Sequence, residues 1–175
     1  ENDGAETLDS SVEPLIDWQE LPKEKLLNIL KEKGIVGLGG AMFPSSIKLC
    51  PPKVVDTLIV NGCECEPYLN ADNRLMIELP DSILKGIEIV RRILGISNVV
   101  FAIEDNKKDA IESVSRAVKE YSGIKIETLK TKYPQGAERM LIKRITGREV
   151  PEGGLPFDVG VVVFNVGTLY AISRA

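Results

Sequence analysis

Four runs of strand length, each separated from the next by a stretch with helical spacing, constrain this chain more than any other feature. They are Asp56–Asn61 (DTLIVN), Asn98–Ile103, Ile124–Leu129 and Asp158–Phe164 (DVGVVVF). A nearly continuous apolar run bounded by polar residues is what a strand buried on both faces of a parallel sheet requires. Between the runs, Pro80–Leu94 places Ile83, Ile87, Val90 and Leu94 on one helical face, and Asn106–Tyr121 and Gly136–Ile145 also read as helices. A last helix begins near Gly167. Upstream, PKEKLLNILKEKG aligns Leu26, Leu27 and Leu30, with Pro22 in the first turn and Gly34 just past the end. A short helical segment is expected to run through Lys48. Strands alternating with helices of this length predict an α/β domain with a mainly parallel sheet, and ligands of such sheets bind at the carboxyl ends of the strands.

Length and composition narrow the chemistry. The 175 residues suffice for one domain with its own core. Residues 1–17 are acidic and aperiodic and read as a linker, leaving residues 18–175 as the domain. The chain opens on Glu1 and stops at Ala175 inside a helical pattern, so both ends read as junctions with further chain. The net charge of −4 and the lack of a basic stripe argue against a nucleic-acid surface. No apolar stretch is long enough to span a membrane. There are no histidines, which removes Ser-His-Asp and Cys-His catalysis and most zinc sites. Cys50, Cys63 and Cys65 form no CxxC pair, so iron–sulfur ligation within these residues is not expected. The thiols fit a reducing, cytoplasmic setting.

Four segments carry candidate chemistry. In GIVGLGGAMFP, Gly37, Gly39 and Gly40 leave backbone N–H groups uncovered, and a phosphate could rest there with Lys48 as counter-charge. A plain helix-to-helix connection is the alternative. After the first strand, NGCECEP offers Asn61, Glu64 and Glu66, suited to ring nitrogens, amides or ribose hydroxyls, or simply to a solvated turn. Tyr133-Pro-Gln-Gly136-Ala-Glu138 follows a strand and opens a helix, where an aromatic ring and free amides favour a flat, phosphorylated ligand. Glu138 also fits as an ordinary first-turn carboxylate. Asn165 and Thr168 project from the end of the last strand. Asp72 and Arg74 read as a helix-surface ion pair or cap, Trp18 as core, and Glu104–Asp109 as a solvated turn.

Taken in order, these segments resemble one family. GIVGLGGAMFPSSIKL is similar to the GxGGAxFPTxxKL loop shared by the C subunits of Rnf-type electron-transport complexes and the NADH-oxidising flavoprotein subunit of respiratory complex I. VDTLIVNGCECEPYLNADNRLM resembles the motif written CNADExEPGxxKDR in complex I. YPQGAERMLIKRITGREVP is similar to YxxGEExALxxSLEG, and GLPFDVGVVVFNVGTLYAI to the PPFP…NNVETL segment in its Rnf form.

The resemblance implies a Rossmann-like domain that holds non-covalent FMN, with NADH above it. Gly37, Gly39, Gly40 and Lys48 would take the phosphate. Asn61, Glu64, Tyr133, Gly136, Glu138, Asn165 and Thr168 would surround the ring and ribityl chain, and Phe43, Glu66 and Phe157 would line the NADH side. Leu38, Cys63, Ala137 and Gly154 stand where complex I has an arginine, an aspartate, the first carboxylate of its GEE pair and a nucleotide-contacting lysine. The FMN set is therefore better preserved than the NADH set. The resemblance further implies a preceding small barrel-like domain, a following ubiquitin-like β domain and two 4Fe–4S clusters outside these residues. Partner subunits would hold the protein at the inner face of the cell membrane without a span of its own. Cobalamin reductases and relatives serving amino-acid reductases share the domain and are the near alternatives; a non-catalytic scaffold is the distant one.

Overall fold

The computed structural model of the chain describes Leu15 and residues 17–175. The proposed linker therefore lies, Leu15 and Asp17 apart, outside the described residues. Among these, four parallel strands form one sheet in the order β3-β2-β1-β4: β1 (Thr57–Gly62), β2 (Asn98–Glu104), β3 (Ile124–Leu129) and β4 (Val161–Asn165). The helices are α1 (Lys23–Glu32), α2 (Ser45–Lys48), α3 (Ala71–Glu78), α4 (Pro80–Leu94), α5 (Lys108–Ala117), α6 (Glu138–Thr146) and α7 (Val166–Arg174). The α/β class and the parallel sheet are as the periodicities predict.

Strand alternation divides the core into two layers. Leu58 and Val60 of β1, Phe101 and Ile103 of β2, and Val162 and Phe164 of β4 join residues of α1, α3, α4, α5 and α7 in the larger layer. Ile59, Ala102, Val161 and Val163 turn to the other face and meet Leu141 and Ile142 of α6. Phe101 and Phe164 are fully buried, each contributing roughly 2–3 kcal/mol through burial. Trp18 is half-buried at the edge of the larger layer. Helix α4 starts with Pro80 at its first position and ends at Gly95, whose φ of +69° is the left-handed stop. It lies so close to α7 that a Cβ on Gly86 would sit 2.0 Å from the Leu169 carbonyl oxygen.

Three features depart from the sequence reading. Helix α3 is not signalled by an apolar stripe, and only Met76 of it is fully buried. β4 begins at Val161 and not at Asp158, because Pro156–Val159 form a 3-10 turn: the Asp158 carboxylate accepts the Leu155 N–H at 2.8 Å, and Gly160 at φ +73° ends the turn. The supposed solvated turn at Glu104–Asp109 is corrected at both Glu104 and Lys107. Glu104 ends β2 with 3% exposure, and Lys107 lies half-buried against Glu64.

Candidate functional site

β4 is an outer strand, so one row of its backbone groups has no strand partner among the described residues. A cleft of about 360 Å³ runs beside it toward the carboxyl ends of β1 and β4. This is the point where the strand order turns, β2 and β3 building to one side of β1 and β4 to the other, and it is where open α/β sheets take ligands. The volume falls in the range of small-molecule sites, roughly 300–1,000 Å³.

The glycine-rich loop forms one wall. It is pinched at its base, where Val36 bridges Pro44, the Gly37 N–H donates to the Phe43 carbonyl at 2.8 Å, and the Ser45 N–H donates to the Ile35 carbonyl at 3.0 Å. At its crown the Leu38 N–H donates to Thr168 Oγ1 at 2.8 Å. Gly40 has φ +107°, a conformation open to glycine. Gly37, Gly39 and Phe43 line the cleft, and Gly40 lies exposed outside the lining.

Lys48, carried by the short helix α2, reaches across to the opposite wall. Its ammonium is 2.9 Å from Glu138 Oε1, 2.9 Å from the Val163 carbonyl oxygen and 5.8 Å from the centre of the Phe164 ring. Both charged side chains are partly solvated, so the pair itself contributes under about 1 kcal/mol. Its importance is positional, since it brings a cation to the cleft and satisfies a carbonyl of the outer strand.

The loop after β1 clamps the start of α6. Asn61 Nδ2 donates to the Gly136 carbonyl at 2.9 Å while its Oδ1 accepts the Cys63 N–H at 3.0 Å. The Gly136 N–H donates to Cys65 Sγ at 2.9 Å. A Cβ on Gly136 would lie 2.5 Å from the Cys63 carbonyl oxygen, so only glycine fits. Burial pushes the pKa of the Cys63 thiol up to about 12, with Glu104 and Cys65 adding to the effect.

Glu64, expected at the cofactor, is placed away from the cleft lining with 5% side-chain exposure. Its Oε1 accepts the Asp72 N–H at 3.0 Å and its Oε2 the Asn73 N–H at 3.4 Å, capping α3, with Lys107 Nζ at 3.8 Å. Glu66 and Tyr133 are exposed and also outside the lining. Asn165 lines the cleft with most of its amide engaged: its Oδ1 accepts from Gly167 N at 2.8 Å and Thr168 N at 3.3 Å, and its Nδ2 donates to Asp72 Oδ2 at 2.6 Å. Asp72 is thus no surface residue. Burial raises its carboxyl pKa, with the Asn165 hydrogen bond opposing and Glu64 reinforcing the shift. Arg74 does form a helix-surface pair, with Glu78. Phe157 and Thr168 both line the cleft.

Nothing in its local chemistry singles out Ser45, although it occupies the threonine position of the GxGGAxFPTxxKL pattern. Its hydroxyl is buried, with the residue 1% exposed, lines the cleft and has no hydrogen-bond partner among the described residues. A buried hydroxyl in that state calls for a partner that the described side chains do not supply, and a ligand in the cleft could provide it. With Lys48, the loop glycines and the apolar faces of Phe43 and Phe157, the donor set fits a phosphorylated ligand with a flat ring system, as FMN is. Among the described residues no group of three or more Cys, Asp or Glu side chains is placed to hold a metal ion, and no helix is long and apolar enough to cross a membrane.

The family model for the Nuo51 FMN-binding domain matches residues 30–174. The C subunit of the proton-translocating ferredoxin:NAD(+) oxidoreductase complex of Clostridium ljungdahlii is 50% identical over 100% of this chain and 38% of its own length. The C subunit of the Na(+)-translocating ferredoxin:NAD(+) oxidoreductase complex of Acetobacterium woodii is 44% identical over 100% of this chain and 40% of its own length. The chain therefore spans well under half of the curated relatives it matches. In structure, it superposes with a TM-score of 0.74 and 25% identity on a chain of an NAD+-reducing NiFe hydrogenase in the air-oxidised state, covering 87% of this chain and 30% of that one.

Proposed function

Because the chain belongs to the Nuo51 FMN-binding domain family, we propose that its cleft holds FMN, that the domain oxidises NADH, and that it passes electrons to iron–sulfur clusters within an ion-translocating membrane complex of the Rnf type. The observation that carries this reading is convergence. Gly37 and Lys48 from the first motif, Asn61 from the second, Gly136 and Glu138 from the third, and Phe157, Asn165 and Thr168 from the fourth all line one cleft.

Bound in this cleft, FMN would supply the hydride and single-electron chemistry that no side chain here provides. The residues of the chain bind and orient. Lys48, the glycine loop and the unpartnered Ser45 hydroxyl take the phosphate end. Asn61 and Gly136, already fixed to one another, present a rigid edge for the ring. Glu138 stands beside Lys48 and moderates its positive charge. Phe43 and Phe157 offer apolar faces to the nicotinamide nucleotide and exclude water from them. Gly40, Glu66 and Tyr133 lie exposed outside the lining and meet a ligand only where it extends beyond the cleft, while Glu64 acts behind it by capping α3. No side chain is required to move a proton. The 4Fe–4S clusters belong to other parts of the protein, and attachment at the inner face of the membrane comes through partner subunits.

The test is the visible absorbance of the purified protein after adding FMN and desalting, followed by NADH under anaerobic conditions. Retained flavin bands that bleach support the whole reading. Bands that persist with NADH leave an FMN domain with another electron donor. Absence of flavin from both this chain and its full-length protein ends the proposal.

A further inference from the structure

Asp72 lines no part of the cleft, yet it is bonded to a residue that does. Asn165 donates Nδ2–H to Asp72 Oδ2 at 2.6 Å and accepts at Oδ1 from the Gly167 and Thr168 amides at the start of α7. The two ends of an asparagine amide are nearly isosteric, and the neighbours decide which way it points. An ionised carboxylate only accepts, so it draws the NH2 end to itself and leaves the oxygen for the helix. With the amide reversed, Nδ2 would face two N–H donors and Oδ1 a carboxylate. Asp72 therefore selects the orientation in which Asn165 caps α7.

The consequence reaches the glycine loop. Thr168, whose amide Asn165 holds, accepts the Leu38 N–H on its own Oγ1 at 2.8 Å. Gly39 lies against the Asn165 side chain, where an added Cβ would be 3.4 Å from Asn165 Cβ. Asp72 is in turn fixed from behind, because its N–H donates to Glu64, which is itself paired with Lys107. We infer that Asp72 is a positioning residue of the cleft, locking the Asn165 amide and, through Asn165 and Thr168, holding the glycine loop where the cofactor phosphate rests. The role toward the cofactor rests on the FMN reading above; the lock itself does not.

Two substitutions in the full-length protein test it, Asp72→Ala and Asp72→Asn, with two readouts. The first is hydrogen exchange of the Leu38, Gly167 and Thr168 amides without ligand, using β2 amides as the internal standard. The second is FMN affinity from quenching of flavin fluorescence. Asp72→Ala is expected to speed exchange of the three amides roughly tenfold, leave β2 unchanged and weaken FMN roughly tenfold. Asp72→Asn keeps a side-chain carbonyl that accepts from Asn165 and restores both readouts to within about threefold of the parent. Unchanged exchange in Asp72→Ala overturns the lock, as does an Asp72→Asn protein as impaired as Asp72→Ala. Faster exchange with undiminished FMN affinity overturns the role in cofactor placement. If the parent protein takes up no FMN, the function proposed above falls, and the exchange data alone decide the lock.

Discussion

The Lys48 ammonium lies 2.9 Å from Glu138 Oε1 and 2.9 Å from the backbone oxygen of Val163, so one side chain joins the helix after the glycine loop to both the outer strand and α6. An ammonium has three donors, and two are engaged here. The third remains for an anion in the cleft. Replacing Lys48 with Ala is expected to weaken FMN by about 10–100-fold, the worth of one charge-assisted hydrogen bond, and riboflavin by less than about threefold. Parallel fluorescence titrations with the two flavins check this. An equal loss for both would mean that Lys48 shapes the cleft and does not read the phosphate.

Gly136 and Gly37 both line the cleft but should respond differently to an added methyl group. At Gly136 the Cβ would collide with the Cys63 carbonyl oxygen at 2.5 Å and the Cys65 sulfur at 3.0 Å, and the clash with backbone cannot be relieved by a rotamer change. Gly136→Ala is expected to cost roughly 2–4 kcal/mol and to disrupt the cleft. At Gly37 the nearest atom would be the Phe43 carbonyl oxygen at 3.5 Å, an ordinary contact, so Gly37→Ala should cost less than about 1 kcal/mol. Urea unfolding midpoints of the two variants separate these outcomes.

The cysteines should differ sharply toward alkylating reagents. Cys50 is exposed, whereas Cys63 is buried with its pKa pushed up to about 12. At pH 8 its thiolate fraction is about a thousandfold below that of an ordinary cysteine. Mass spectrometry after iodoacetamide treatment should find Cys50 modified in the native protein and Cys63 modified only in denaturant. Rapid native labelling of Cys63 would show that the loop after β1 opens readily.

Glu104 sets a direction for the pH dependence of stability. Burial raises its pKa, with Asp105 and Glu64 adding to the rise and Lys107 and the Glu64 backbone N–H opposing it. Because the folded-state value lies above the unfolded one, the folded chain binds more protons in the interval between them, and its stability falls as pH rises through that interval. Glu104→Gln removes this dependence. The variant should be more stable than the parent at pH 7, with the difference shrinking as pH falls toward the ordinary glutamate range and staying constant below it. Urea midpoints at a series of pH values measure it, and a constant difference would rule Glu104 out as the source.

The strands and most helices are legible because burial on a sheet imposes periodicities that local sequence records. Pro80–Leu94 is read to the residue, since its apolar stripe, its leading proline and its closing glycine are all local. Helix α3 is not, because its N-terminus is capped by Glu64, from the preceding loop, and not by the residue before it. The same holds in the cleft. The glycine loop, Asn61 and Asn165 announce themselves as polar or flexible residues at element ends. Asp72 and Lys107 read as surface charges until the fold supplies their distant partners, and the Val163 carbonyl that receives Lys48 has no side-chain signal at all.

The strand order has a consequence for how the domain comes into being. β1 pairs with β2 on one side and with β4, the last of the four strands to be synthesised, on the other. Until β4 emerges from the ribosome, β1 presents a bare hydrogen-bonding edge and the cleft lacks the wall carrying Asn165 and Thr168. A nascent chain is thus unable to form the complete cleft before its last described helix is made, and while the β1 edge stands open the chain is exposed to misassembly there.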